Sequence, residues 1–151
     1  ITDFLADLAE RVHRPISVAV ITPYSAQKER VRKQLRDLGW QDGQLGLLRI
    51  EVDTVDAFQG SEADVVCYST VRTEGSLNFI LDRKRLNVAC SRAKLHLLFF
   101  GDIHYLRNWR AKKKEGVNLF SEIMKYASTE PVVFREEDAS RSENFAAADS
   151  V

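Results

Sequence analysis

The sequence predicts an α/β protein built on a mainly parallel sheet. Three observations carry this: short apolar runs rich in β-branched residues recur along the chain, stretches with helical spacing separate them, and Pro or Gly punctuates several junctions. A strand that is apolar throughout, rather than at alternate positions, is buried on both faces, as happens where helices cover both sides of a parallel sheet. Right-handed crossovers then join successive strands.

The first segment, "ITDFLADLAERVHRP", places Ile1, Leu5, Leu8 and Val12 at helical spacing and stops at Pro15, so it reads as an amphipathic helix. It starts without a cap or leader, from which further chain upstream of Ile1 is expected. "ISVAVIT" is the first buried strand. After Pro23, "SAQKERVRKQLRDLG" sets Val31, Leu35 and Leu38 on one helical face, with Ser25 as cap and Gly39 as stop. The alternation continues through the strand "LLRIEV", the loop "DTVDAFQGSEA", the strand "DVVCYSTV", a helix over roughly 82–93 and the strand "LHLLFFG". "VNLFSEIMKYA" closes the domain as a helix, giving one folded unit over 1–127. From Ser128 the residues turn polar and acidic with little periodicity, which predicts a weakly ordered tail over 128–151.

Composition narrows the function. A length of 151 residues suits one domain with a single core. No apolar run approaches the roughly 20 residues that span a bilayer, so a cytosolic or nuclear location is the default expectation and no membrane partner is expected. Cys67 and Cys90 lie in apolar segments without metal or redox spacing and are expected to be buried free thiols. His13, His96 and His104 are scattered singly, so no metal site is expected. The 22 basic and 22 acidic side chains cancel, which leaves any phosphate recognition to local groups. Lys28, Arg30, Arg32, Lys33 and Arg36 are interrupted by Glu29 and Asp37 and read as a solvated helix face.

Three stretches carry chemistry, and ligands of open parallel sheets bind where such stretches gather, beyond the carboxyl ends of the strands. In "VITPYSAQ", Thr22 offers a hydroxyl, Tyr24 a flat ring and Gln27 an amide beside helix N-terminal N–H groups. Taken alone, this is also an ordinary capped turn. In "VDTVDAFQGSEADVV", Gly60 lets a backbone approach a ligand closely and Glu62 can accept hydrogen bonds from ribose hydroxyls. The alternative is a structural loop that packs Phe58. In "RLNVACSRAK", Leu86, Cys90 and Ala93 share one helical face while Arg85 and Arg92 share another. Read alone, Arg92 is a cation that suits a helix C-terminus.

Taken together and in this order, "ITPYSAQ", "VDTVDAFQGSEADVV" and "RLNVACSRAK" resemble motifs IV, V and VI of superfamily-1 helicases, in the branch of the Upf helicases and senataxin. The resemblance runs from about Ser17 to Asp102. It implies a RecA-like three-layer sandwich that forms the second, C-terminal motor domain and faces an upstream RecA-like domain of the same protein. It further implies that Arg92 is an arginine finger for ATP and that Glu62 binds the ribose beside Gly60. Gln59 would link nucleotide to nucleic acid, and Thr22, Tyr24, Thr54 and Arg72 would contact the single strand, DNA or RNA.

The chain departs from a complete motor in one respect. It contains no G-x-x-x-x-G-K-[ST] loop and no acidic pair after an apolar strand to hold Mg²⁺, so both ATP and Mg²⁺ are expected to require the first RecA-like domain. Two other readings compete: a non-catalytic module that binds nucleic acid or protein, and an unrelated small α/β enzyme. The second lacks a recognisable nucleophile and base.

Overall fold

A computed structural model describes residues 1–58, 62–109 and 118–127. The expected tail over 128–151 lies outside the described residues, as do Gln59 and Gly60. The elements are α1 (Thr2–Arg11), β1 (Ile16–Thr22), α2 (Ser25–Asp37), β2 (Gln44–Leu45), β3 (Leu48–Thr54), β4 (Ala63–Ser69), α3 (Arg83–Cys90), β5 (Ala93–Phe100), α4 (Ile103–Asn108) and α5 (Leu119–Ile123).

The four expected strands and the two-residue β2 form one sheet in the order β2-β3-β1-β4-β5. Only the two-residue β2 runs antiparallel, pairing Gln44 with Arg49 and Leu45 with Leu48. β1 lies between β3 and β4, parallel to both, with Val20 opposite Val52 on one side and Cys67 on the other. Its apolar run is explained by that position, since Val18, Ala19, Val20 and Ile21 are all buried.

Helices cover both faces. Leu5 and Leu8 of α1 and Val31 and Leu35 of α2 pack with Val18, Val20, Val52 and Cys67 on one side. Leu86 and Ala89 of α3, Leu106 of α4 and Phe120 of α5 pack with Ile21, Val66 and Tyr68 on the other. The result is the three-layer α/β sandwich that the helicase resemblance implies. No helix among the described residues is long and apolar enough to cross a membrane.

Several local expectations are corrected. Leu38 is 45% exposed because α2 stops at Asp37 and Gly39 turns the chain away at φ +91. Ser25 is the first residue of α2 rather than its cap; Tyr24 holds the cap position, and its carbonyl accepts from Gln27 and Lys28 N–H. α3 ends at Cys90, so its buried stripe is Leu86 and Ala89, while Cys90 is an exposed thiol and Ala93 already belongs to β5. Cys67 is buried as expected, and burial pushes its thiol up to about 12. α4 was not anticipated by the pattern; the Asp102 side chain caps it by accepting from Tyr105 N–H at 2.9 Å.

The register of β1 against β4 is pinned at their starts. Asp64 accepts from both the backbone N–H and the hydroxyl of Ser17, each at 2.8 Å, while Ser17 Oγ accepts from Asp64 N–H at 2.9 Å. Ser17→Ala removes two of these three bonds and leaves the Asp64 carboxylate half-solvated with one donor fewer. Denaturant unfolding should show a loss of about 1–3 kcal/mol with the far-UV spectrum unchanged; an unchanged midpoint would contradict this pinning role.

Candidate functional site

Two groups of residues stand out, and they lie at opposite ends of the sheet. The connection after β1 leaves toward β3 through α2 on one face, and the connection after β4 leaves toward β5 through α3 on the other. A crevice therefore opens between the carboxyl ends of β1 and β4, the place where open α/β sheets bind ligands.

Tyr24 and Arg72 meet at that crevice, although 48 positions separate them. Arg72 Nε donates to the Tyr24 hydroxyl at 3.1 Å, and the guanidinium carbon lies 5.3 Å from the Tyr24 ring centre. Arg72 is aimed by a tight turn in which its N–H donates to Thr70 C=O at 2.7 Å, with Val71 at φ +64. That conformation is strained for a β-branched residue. Thr70 is held in turn, because its N–H and hydroxyl both donate to Phe100 C=O.

Phe79 stacks on Tyr24 with ring centres 5.5 Å apart and planes 21° from parallel. Arg85 covers Phe79 at 4.0 Å and is gripped by the Asp56 carboxylate at 2.9 and 3.2 Å. The loop between β4 and α3 that carries Phe79 is anchored below by buried Leu77 and Ile80 and above by Tyr105 and Trp109, both donating to Gly75 C=O. Nothing in local spacing announces Phe79 or the Arg85–Asp56 pair; the only signal is an aromatic residue beside the apolar pair Leu77 and Ile80 in the loop.

The hydroxyls sit deeper. Thr22 is fully buried, opposite Thr54 in the β1–β3 register, and its Oγ1 has no hydrogen-bond partner among the described residues. Its carbonyl accepts from Val55 N–H, which continues the pairing into the following loop. Thr54 is half-buried.

Glu62 and Arg92 do not join this group. Both sit at the amino ends of β4 and β5, where Ala63 pairs with Ala93. The reason is topological: the segment after β3 crosses the sheet face from the carboxyl end of β3 to the start of β4, and α3 descends the same face to the start of β5. The structural reading of the crossing loop holds, because Val55 and Phe58 are buried in the core, while Glu62 is exposed. Ala63 N–H donates to Arg92 C=O at 2.9 Å, tying the end of the loop to the arginine. Lys94 Nζ lies 3.8 Å from the Glu62 carboxylate.

Arg92 lies in the turn after α3, and its buried Nε has no hydrogen-bond partner among the described residues. With Val55, Asp56, Phe58, Lys84, Arg85 and Val88 it lines a cavity of about 340 Å³. Three cationic side chains and one carboxylate make this a place for a polyanion, since a guanidinium offers a fixed fork of donors. A larger cavity of about 490 Å³, along β5 and between α4 and α5, is lined by apolar side chains apart from Arg107.

Of the basic residues of α2, Arg30, Lys33 and Arg36 are exposed as expected, while Lys28 and Arg32 are engaged at the end of β3. Lys28 bonds Asp53 at 3.2 Å and Arg32 donates to Val52 C=O at 2.7 and 3.2 Å. Burial would raise the Asp53 carboxyl, but the Thr54 N–H, Lys28 and Arg32 outweigh it and hold the group below its ordinary 3.8. A depressed folded-state value stabilises the fold above the unfolded value, and that contribution is lost as pH falls from 3.8 through the lower folded one. Asp53→Asn should therefore be less stable near neutral pH, and should lose less stability than the unmodified chain on moving to about pH 3. Equal acid losses in denaturant unfolding would contradict the assignment.

Comparison with known proteins places these residues in context. A family model described as an AAA domain matches residues 1–104. The chain is 37% identical over 103 residues to the DNA polymerase alpha-associated DNA helicase A of Saccharomyces cerevisiae, covering 62% of this chain and 14% of that protein. It is 37% identical over 91 residues to the ATP-dependent helicase NAM7 of the same yeast, covering 59% and 9%. With the helicase sen1 of Schizosaccharomyces pombe the identity is 35% over 92 residues, covering 60% and 5%. The match thus spans about a seventh or less of each of these relatives.

Proposed function

We propose, since the chain belongs to the AAA domain family and is a superfamily-1 helicase domain of the Upf and senataxin type, that it acts as the second motor domain of an ATP-dependent helicase or translocase. One observation carries the reading: Arg92, whose backbone is tied to Ala63 and whose buried Nε has no hydrogen-bond partner among the described residues, lines a cation-rich cavity. Leaving such a donor unpaired costs about 1–3 kcal/mol, which an external anion would recover.

In this reading Arg92 is the arginine finger. Its guanidinium stabilises the charge that develops on the γ-phosphoryl group during transfer. Glu62 takes the ribose hydroxyls once it leaves Lys94, and Gly60 and Gln59 shortly precede it in the sequence. The residues present fit the phosphate and ribose of ATP, and Mg²⁺ would be held by the first RecA-like domain. At the other end of the sheet, Tyr24, Arg72 and Thr54, with Thr22 beneath, meet the single strand through ring stacking and phosphate contact.

The test uses a polypeptide that joins this chain to the first motor domain. Arg92→Ala should lower ATP turnover by about 10³ to 10⁵ while ATP binding persists. Unchanged turnover removes Arg92 from the finger role.

A further inference from the structure

The two ends of the sheet are physically joined. Arg72, Tyr24, Phe79, Arg85 and Asp56 form one unbroken stack, in which each ring or guanidinium covers the next and a bidentate ion pair closes the far end. The stack begins at the crevice between β1 and β4. It ends on the first turn of α3, where Asp82 accepts from Arg85 N–H at 3.1 Å. α3 then runs eight residues down the sheet, about 12 Å, and delivers Arg92 at its far end.

Phe79 is the joint. Its ring touches both the Tyr24 ring and the Arg85 guanidinium. Its loop is tied down at Leu77, Ile80 and Gly75, yet Phe79 itself remains 36% exposed. Burial in a core therefore does not account for its place. Arg85 in turn lines the same cavity as Arg92.

We infer that Phe79 is a positioning residue that transmits occupancy of the Tyr24–Arg72 crevice by a single nucleic-acid strand to Arg85 and, through α3, to Arg92. This rests on the nucleic-acid role proposed for Tyr24 and Arg72. A strand that stacks on Tyr24 or draws Arg72 onto a phosphate must shift the Tyr24 ring. A shift of the Tyr24 ring changes its stacking on Phe79, and a shift of Phe79 re-aims its contact with Arg85. A rigid helix with discrete contacts at both ends is the kind of element that carries such coupling.

Side-chain Nε–H resonances of arginine in the 151-residue chain report this directly. Short oligothymidylate and oligouridylate serve as probes, with Phe79→Leu and the ring-preserving Phe79→Tyr compared against the unmodified chain. In the unmodified chain and in Phe79→Tyr, saturating oligonucleotide should shift the Tyr24 ring signals and the Arg85 Nε–H signal together. In Phe79→Leu the Tyr24 shift should remain and the Arg85 shift should be lost, with backbone amide spectra showing the fold intact. An Arg85 signal that stays still in the unmodified chain, or moves equally in Phe79→Leu, overturns the inference while leaving the nucleic-acid role standing. Failure of both probes to perturb Tyr24 or Arg72 overturns that role and the inference with it.

Discussion

The position of β1 governs the rest of the structure. It is hydrogen-bonded in parallel to β3 on one side and β4 on the other, and buried by helices above and below. A strand so enclosed has no freedom to carry chemistry along its length, so its ligand-facing residues are confined to the turn where it emerges. The connections after β1 and β4 depart to opposite faces, and the crevice between them holds Tyr24 and Arg72 in contact. Parallel pairing, hydrophobic burial and chain direction together create that site.

The same geometry divides the labour between the two ends of the sheet. Parallel strands oblige every connection to return from carboxyl end to amino end, and two of those returns, the segment after β3 and helix α3, run down one face. Each reaches the bottom with a side chain proposed for the nucleotide, Glu62 and Arg92, and a backbone hydrogen bond between Ala63 and Arg92 keeps them together. At the top the same two segments are joined by Asp56 and Arg85. The cavity between them is thus bounded on both sides by segments fixed at each end, which keeps its cationic side chains in place without a large electrostatic field from the chain as a whole.

Much of this was legible in the residues. The apolar runs from Val18 to Ile21 in β1 and from Val65 to Cys67 in β4, and the 3.6-residue spacing of α1 and α2, follow from burial alone. Arg85 and Arg92, seven apart, do line one cavity. What escaped depends on distance in sequence or on brevity. β2 has two residues and α4 six, too few for a period to register. The Tyr24–Phe79 stack and the Arg85–Asp56 pair join positions far apart in the chain, which spacing cannot reveal. The expectation that every functional residue would gather beyond the strand carboxyl ends failed for Glu62 and Arg92, because each follows a return segment rather than a strand. Thr22 shows the limit of residue type: a hydroxyl placed at a strand end is fully buried when its neighbours on both sides are strands.

The central claim is that this domain supplies an arginine and a nucleic-acid surface to an ATP site whose phosphate loop and metal ligands lie in another domain. Magnesium-dependent ATP turnover by the purified 151-residue chain, with single-stranded nucleic acid present and contaminating ATPases excluded, tests it most directly. The account predicts no turnover above background. Sustained turnover that survives repeated purification would contradict it, because the chain would then hold a complete catalytic site of its own.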